Sequence, residues 1–213
     1  MFYLHKTPGL FKRLFPGITW DGSHGSSSKE IFLTFDDGPT DTTSRAILDI
    51  LEKYDVKATF FCVGENIQRH ADIVEELLSR GHVIGNHGHT HKNGWYCSAR
   101  EYVKDVELCR QVLEEAGING KIFRPPYGKL KPKQYKLLKE KGFEVVMWDV
   151  LSGDFDKRVS GSDILRKSVR HTRPGTIIVF HDNIKSKEVV LEVLPLYIEH
   201  FLKEGYSFKK IWI

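Results

Sequence analysis

Short apolar, β-rich runs alternate with helical-period segments along most of this 213-residue chain, and strict alternation of that kind predicts a parallel α/β sheet wrapped by helices. Two further observations narrow the class to a distorted (β/α) barrel of about seven parallel strands in a single domain. A full eight-unit barrel usually needs roughly 250 residues, more than are present here. No GxGxxG or GxxxxGK phosphate loop follows the first predicted strand, which removes the main support for an open nucleotide-binding sheet. Right-handed crossovers leave an open doubly wound sheet or a barrel, and these two observations put the shortened barrel first.

Residues 1–29 read as an arm and linker, and 30–213 as the single folded domain. The opening "MFYLHKTPGLFKRLFPGITW" is interrupted by Lys, Arg and Pro where a signal peptide needs an apolar stretch, so no export signal is predicted and a cytoplasmic location is the default expectation, with an extracytoplasmic one the alternative if a leader is absent from this sequence. An interfacial aromatic-basic segment is the competing account of this stretch, and a short arm packed against the domain is preferred. "DGSHGSSSKE" then reads as a linker. Predicted strands follow at 31–35, 58–63, 82–86, 121–123, 144–148, 176–180 and 208–213. Helices are predicted between them at 43–54, 71–80, 98–116, 132–141, 162–171 and 188–204, with stop signals at Gly81, Gly117, Gly142 and Gly205.

The composition, 40% hydrophobic and 28% charged, is that of an ordinary globular protein, and no apolar run is long enough to span a bilayer. The net charge of +4 gathers in "GKLKPKQYKLLKEKG", which reads as a solvated helix face rather than a nucleic-acid patch. Cys62, Cys97 and Cys109 have neither CxxC spacing nor a disulfide-rich count, so buried or free thiols are expected. Nothing in the sequence sets the oligomeric state.

Polar residues of unusual type follow the C-terminal ends of different predicted strands: Asp36 and Asp37, then His87, His89 and His91, then Arg124, Asp154 and His181. In a parallel barrel these ends share the face where active sites lie. Asp36 and Asp37 are adjacent anions at the end of "IFLTFDDGPT", and such a pair persists if solvent, an arginine or a cation compensates it. His87 and His91 in "GNHGHTHKN" meet on one side of a helical turn, whereas an extended chain would align His87, His89 and His91; either geometry makes a metal site. Two histidines and one carboxylate leave coordination positions open for water and substrate, and the second Asp stays free to take a proton. In "FRPPYG", Arg124 could clamp a catalytic carboxylate while two prolines aim the Tyr127 N–H at an oxyanion; His181 in "VFHD" could protonate a leaving group. His82 reads as structural, as do His70, His171 and His200.

Taken together, "TFDDGP", "HGHTH", "RPPYG", "WDVLSGDF" and "VFH", in this order, resemble the NodB-type polysaccharide deacetylases, carbohydrate esterase family 4, over residues 31–213. The resemblance implies that Asp36 is the base and that Asp37, His87 and His91 bind a divalent metal. It further implies that Arg124 orients the base, Tyr127 supplies the oxyanion N–H and His181 is the acid, with Asp154 supporting His181 or the Arg124 network. Four positions depart from the family pattern: Gly88 stands where Ser or Thr is common, Leu151 replaces an acidic residue, Phe155 stands where Trp is usual, and Val179 replaces Leu.

The expected activity is metal-dependent removal of N-acetyl groups from N-acetylglucosamine-type sugars or polysaccharides such as peptidoglycan, chitin or an oligosaccharide. Zinc is the expected metal, although cobalt, nickel, manganese and iron accept the same donors. The expected partner is an acetylated carbohydrate and not a nucleic acid. Competing readings are an O-acetyl xylan esterase of the same family, an amidohydrolase using His87, His89 and His91, and a catalytically silent sugar-binding domain.

Overall fold

The computed structural model describes residues 3–22 and 28–211, so half of the predicted linker and the last two residues of the final predicted strand lie outside the described residues. The chain runs α1 (Gly9–Leu14), β1 (Glu30–Asp36), α2 (Asp41–Lys53), β2 (Thr59–Cys62), α3 (Gly64–Arg69), α4 (Ala71–Ser79), β3 (Val83–Asn86), α5 (Ala99–Glu115) and β4 (Ile122–Phe123). It continues through α6 (Pro132–Glu140), β5 (Glu144–Val145), β6 (Val150–Leu151), α7 (Gly161–His171), β7 (Thr176–His181), α8 (Lys187–Lys203) and β8 (Ser207–Lys209). Single 3₁₀ turns lie at Gly94–Tyr96 and Pro126–Gly128. Among the described residues no helix is long and apolar enough to cross a membrane.

Seven parallel strands form a curled half-barrel in the order β5-β4-β3-β2-β1-β7-β6, and β8 adds in parallel beside the start of β1. The predicted class is therefore the observed one. β1 explains its own continuous apolar sequence by the two-residue period of a strand. Ile31, Leu33 and Phe35 belong to the layer under the helices, with Ile47, Leu48, Val193 and Leu194. Phe32 faces the other way into an inner cluster with Phe61, Ile122 and Ile177, and Thr34 and Asp36 follow it on that inner face. An aspartate thus arrives at the barrel interior because its strand places it there.

One prediction needs correction. The expected strand at 144–148 is cut short to β5, and a further strand, β6, follows beyond the predicted range, because the segment changes neighbours along its length: β5 pairs with β4, and β6 pairs with β7 at the opposite end of the sheet order. Between them Met147 N–H donates to Thr19 O at 2.7 Å and Asp149 N–H to Ile177 O at 3.0 Å, so these residues leave the regular ladder. The final predicted strand ends at Lys209 among the described residues. Helices α1 and α3 were not expected, since six residues each are too few to show a 3.6-residue period.

The N-terminal arm covers the flanks that this switch exposes. Lys6 bridges antiparallel to Val150, and Thr19 bridges parallel to Val146. Asp149 is buried and forms ion pairs with Lys6 and Lys12 and a hydrogen bond from Thr176 Oγ1. Removing this carboxylate leaves two cations facing the sheet without their shared partner, tempered by the lysines' partial access to water. Asp149→Asn should lower stability by roughly 1–3 kcal/mol, read as a lower urea midpoint with an unchanged m-value; an unshifted midpoint would show that the clamp does not hold the arm.

Candidate active site

The ends of β1, β3, β4 and β7 converge on one face of the sheet. Asp36 is the last residue of β1, and its Oδ1 accepts a 2.7 Å hydrogen bond from Arg124 Nη1. Arg124 has no exposed surface. The same Nη1 donates to Thr34 Oγ1 at 2.8 Å, Nη2 donates to Met147 O at 3.0 Å, and the guanidinium lies 4.0 Å from the Phe61 ring centroid. Burial lowers the Arg124 pKa, and the Asp36 carboxylate beside it works against that. The other oxygen, Asp36 Oδ2, stands 4.0 Å from His87 Nε2.

Asp37 turns away from its neighbour through a left-handed backbone, φ 82°. Its Oδ1 lies 2.9 Å from His91 Nε2 and 3.5 Å from His87 Nε2, and its Oδ2 accepts from Asn183 Nδ2 at 2.7 Å. Burial raises its pKa, but hydrogen bonds from His87 and His91 prevail and hold the carboxyl well below the usual range. Asp37, His87 and His91 bring one donor atom each to within 4.8 Å of the others. His87 Nδ1 is 2.8 Å from Arg124 O, a carbonyl that can only accept, so the ring carries its hydrogen there. With Nδ1 engaged there, Nε2 faces the Asp37 carboxylate at 3.5 Å, an arrangement that a cation between them satisfies. The donor set therefore fits a divalent metal of the zinc type.

His89 is not part of this group: its Nδ1 is buried without a hydrogen-bond partner and packs against Gly64, where a Cβ would lie 2.4 Å away. Neither geometry the sequence leaves open is adopted: the three histidines are not aligned, and no helical turn forms, since Gly88 and His91 take positive φ in an irregular loop that brings His87 and His91 together. Gly88 has φ +76°, and a Cβ there would meet Asp105 Oδ2 at 2.9 Å. Asp105 accepts from Thr90 Oγ1 at 2.6 Å and from His89 N–H at 2.9 Å, so it braces the loop that the missing Ser or Thr hydroxyl would otherwise support.

His181, the last residue of β7, has its Nδ1 2.7 Å from Asp154 Oδ1, while its backbone N–H donates to Asp154 Oδ2 at 2.8 Å. Of the two placements the resemblance left open for Asp154, the observed one is beside His181. Burial alone would lower the imidazole, but the Asp154 carboxylate and its hydrogen bond, with smaller help from Asp37 and Asp36, push it up to about 10. Phe155, where Trp is usual, packs edge-on to His181 with ring centroids 5.2 Å apart. Leu151 and Val179 are buried in the sheet. Tyr127 follows Pro125 and Pro126 at φ 58°, and its Oη lies 3.1 Å from His91 Nδ1. His82 accepts from Ala58 N–H inside the fold, and burial first, then nearby Lys57, lowers it to about 4, in keeping with the structural reading.

Three positioning residues escaped the sequence reading. Asp182 accepts from Gly38 N–H at 2.8 Å and from Ser44 Oγ at 2.6 Å, and burial pushes its carboxyl up to about 7. A Cβ on Gly38 would lie 1.8 Å from Asp182 Oδ2, so only glycine lets the Asp36-Asp37 turn sit on this carboxyl. Asn183 orients Asp37. Asp105 did leave a signal: it stands on the helical stripe of Tyr102, Val106, Cys109 and Leu113, where a carboxylate needs a partner.

Residues 23–146 match the family profile described as "Polysaccharide deacetylase". A peptidoglycan-N-acetylglucosamine deacetylase of Bacillus cereus is 39% identical over 153 residues, covering 71% of this chain and 55% of the relative's length. A second one from the same organism is 30% identical over 192 residues, covering 90% of this chain and 89% of the relative. The crystal structure of the Bc1960 peptidoglycan N-acetylglucosamine deacetylase, in complex with a naphthalenyl N-oxidanyl-benzamide, superposes with TM-score 0.88 at 31% identity, over 96% of this chain and 95% of that one.

Elemental analysis of purified variants checks the donor set. Asp37→Asn and His91→Ala should lose bound divalent metal, while His89→Ala should keep it; loss in the His89 variant equal to the other two would overturn the assignment.

Proposed function

This chain belongs to the polysaccharide deacetylase family, carbohydrate esterase family 4, and on that premise we propose that it hydrolyses the N-acetyl group of an N-acetylglucosamine-type sugar within a polysaccharide or oligosaccharide. The observation that carries the reading is the division of labour between adjacent aspartates: Asp36 is tied to Arg124, and Asp37 faces His87 and His91. A module that only bound sugar would need neither a clamped carboxylate nor the separate Asp154–His181 carboxylate–imidazole pair on the neighbouring strand.

The family is metal-dependent, and Asp37, His87 and His91 would hold the cation. When bound, such a cation polarises the acetyl carbonyl and lowers the pKa of water. Asp36, with Oδ1 fixed by Arg124, uses Oδ2 to take a proton from the attacking water. Hydroxide adds to the carbonyl carbon, and the Tyr127 N–H, set by the proline-stiffened turn, donates to the oxyanion that forms. His181, kept as imidazolium by Asp154, protonates the amide nitrogen as its bond to carbon breaks. Free amine and acetate leave. An amine departs poorly without a proton, so a histidine that stays charged well above neutral pH suits an amide more than an ester.

Acetate release from N-acetylglucosamine oligomers, with acetylated xylan in parallel and with chelator added to each, tests the reading directly. Release from the oligomers that chelator abolishes and added zinc restores is expected; release from xylan alone would replace the amide with an ester substrate. Asp36→Asn should retain the metal yet lose about a hundredfold to ten-thousandfold in rate; equal metal loss in Asp36→Asn and Asp37→Asn would show that both carboxylates ligate.

The Asp154 contact also sets a pH window. Because it raises His181, the acid form persists as pH climbs towards about 10, and activity should fall through that limb. In Asp154→Asn the lowering effect of burial is opposed only by the smaller influence of Asp37 and Asp36, and the basic limb of the kcat profile should move to lower pH. An unmoved limb in that variant would remove His181 from the role of acid.

A further inference from the structure

A surface helix normally buries its apolar stripe and offers its charges to water, and α1 does the reverse. Leu10, Phe11 and Leu14, with Phe15 just after the helix, fall on one face by their spacing and are 66%, 48%, 61% and 43% exposed. Lys12, on the opposite side, is drawn down onto the protein: its Nζ lies 2.6 Å from Asp21 and 2.5 Å from the buried Asp149. Thr7 N–H donates to Asp149 O at 2.8 Å before the helix, and Trp20 Nε1 donates to Phe15 O at 3.2 Å after it. The helix is thus pinned from its polar side and contributes no buried residue to the fold. Contiguous apolar side chains held in water are unfavourable unless something covers them.

The charges that border this face identify the cover. Asp21 and Asp149 are already engaged by Lys6 and Lys12. Lys6 Nζ also donates to His171 O at 3.2 Å, which brings the end of α7 alongside the arm, with Arg170 and Arg173 exposed. Arg173 Nη1 donates to the carbonyls of Arg170 and Thr172, so its charge is not spent on a carboxylate there. Arg13 is exposed beside Leu10 at the edge of the apolar face. An apolar strip rimmed by cations matches a bilayer, which is apolar inside and anionic at its surface. A two-fold pair of copies fits less well, because it would bring the same arginines together. Four half-exposed side chains also fall short of the roughly 800 Å² per partner that a stable protein interface buries. We propose that the arm is a membrane-surface anchor: α1 lays Leu10, Phe11, Leu14 and Phe15 into an anionic lipid bilayer while Arg13, Arg170 and Arg173 meet its phosphate headgroups. The end of α7 leads into the start of β7, and His181 stands at the other end of that six-residue strand, about 20 Å away. Docking on this side leaves the donor cluster open to solvent.

Flotation of the full chain with lipid vesicles tests the anchor. Equimolar phosphatidylglycerol–phosphatidylcholine vesicles should carry the wild-type protein upward, and pure phosphatidylcholine vesicles should carry far less. Raising the salt from about 0.1 M to about 1 M should release most of it, because the screening length falls from about 10 Å to about 3 Å. The pair Phe11→Ser and Leu14→Ser should weaken binding by about tenfold or more, and the pair Arg13→Gln and Arg173→Gln by about tenfold. All four side chains are exposed, so both variants keep the fold. Absence of flotation in the wild type, equal flotation of all three proteins, or equal binding to neutral and anionic vesicles would each overturn the proposal. A dimer in sedimentation that the Phe11→Ser, Leu14→Ser pair abolishes, with no flotation, would overturn it in favour of a second copy.

Discussion

The site depends on one interaction, the fully buried ion pair between Arg124 and Asp36. Taking both charges out of water costs several kcal/mol per ion before their attraction is counted, and a pair of well-packed apolar residues would often serve stability as well. What the pair supplies is position. Arg124 comes from the end of β4, reaches across the barrel interior to Thr34 and Asp36 on β1, and is tied at Met147 O beyond β5. Its own carbonyl faces His87 Nδ1, so a single residue fixes the proposed base through its side chain and one member of the donor cluster through its backbone.

Around that pair, the chain is held in conformations it would not choose freely. Among the described residues, Asp37, His91 and Tyr127 are three of the four non-glycine positions with positive φ, and all three border the site. Such backbone typically costs on the order of 1–3 kcal/mol per residue and persists only where the surroundings impose it. The surroundings here are identifiable: Asp182 under Gly38, Asn66 Nδ2 on Asp37 O at 2.8 Å, Asp105 beneath the histidine loop, and two prolines before Tyr127. Several of the buried polar groups of the fold are thus engaged in holding the site.

The sequence made the first layer of this legible and left the second obscure, for physical reasons. Strand ends carrying Asp36, His87, Arg124 and His181 stood out because chemistry-bearing residues interrupted apolar runs. The barrel class followed from alternation, which local periodicity reports well. The division of residues 144–151 between β5 and β6 did not follow, since it is set by which strands and which part of the arm lie alongside, a non-local matter. His89 was indistinguishable from its neighbours because its exclusion depends on packing against Gly64, far away in the chain. Asp182 and Asn183 looked like ordinary turn residues, and only the fold brings them to Gly38 and Asp37. Gly88 looked like a lost hydroxyl, and the compensation came from α5.

The central claim is that the buried arginine fork, separately from the metal, makes Asp36 a base. Arg124→Lys keeps the charge and the backbone carbonyl facing His87 but cannot span Asp36, Thr34 and Met147 with a planar fork. The decisive measurement is metal content together with kcat/KM for acetate release in that variant. The account predicts full metal content with kcat/KM lowered by about a hundredfold or more. Metal lost in step with activity, or activity near that of the parent protein, would contradict it.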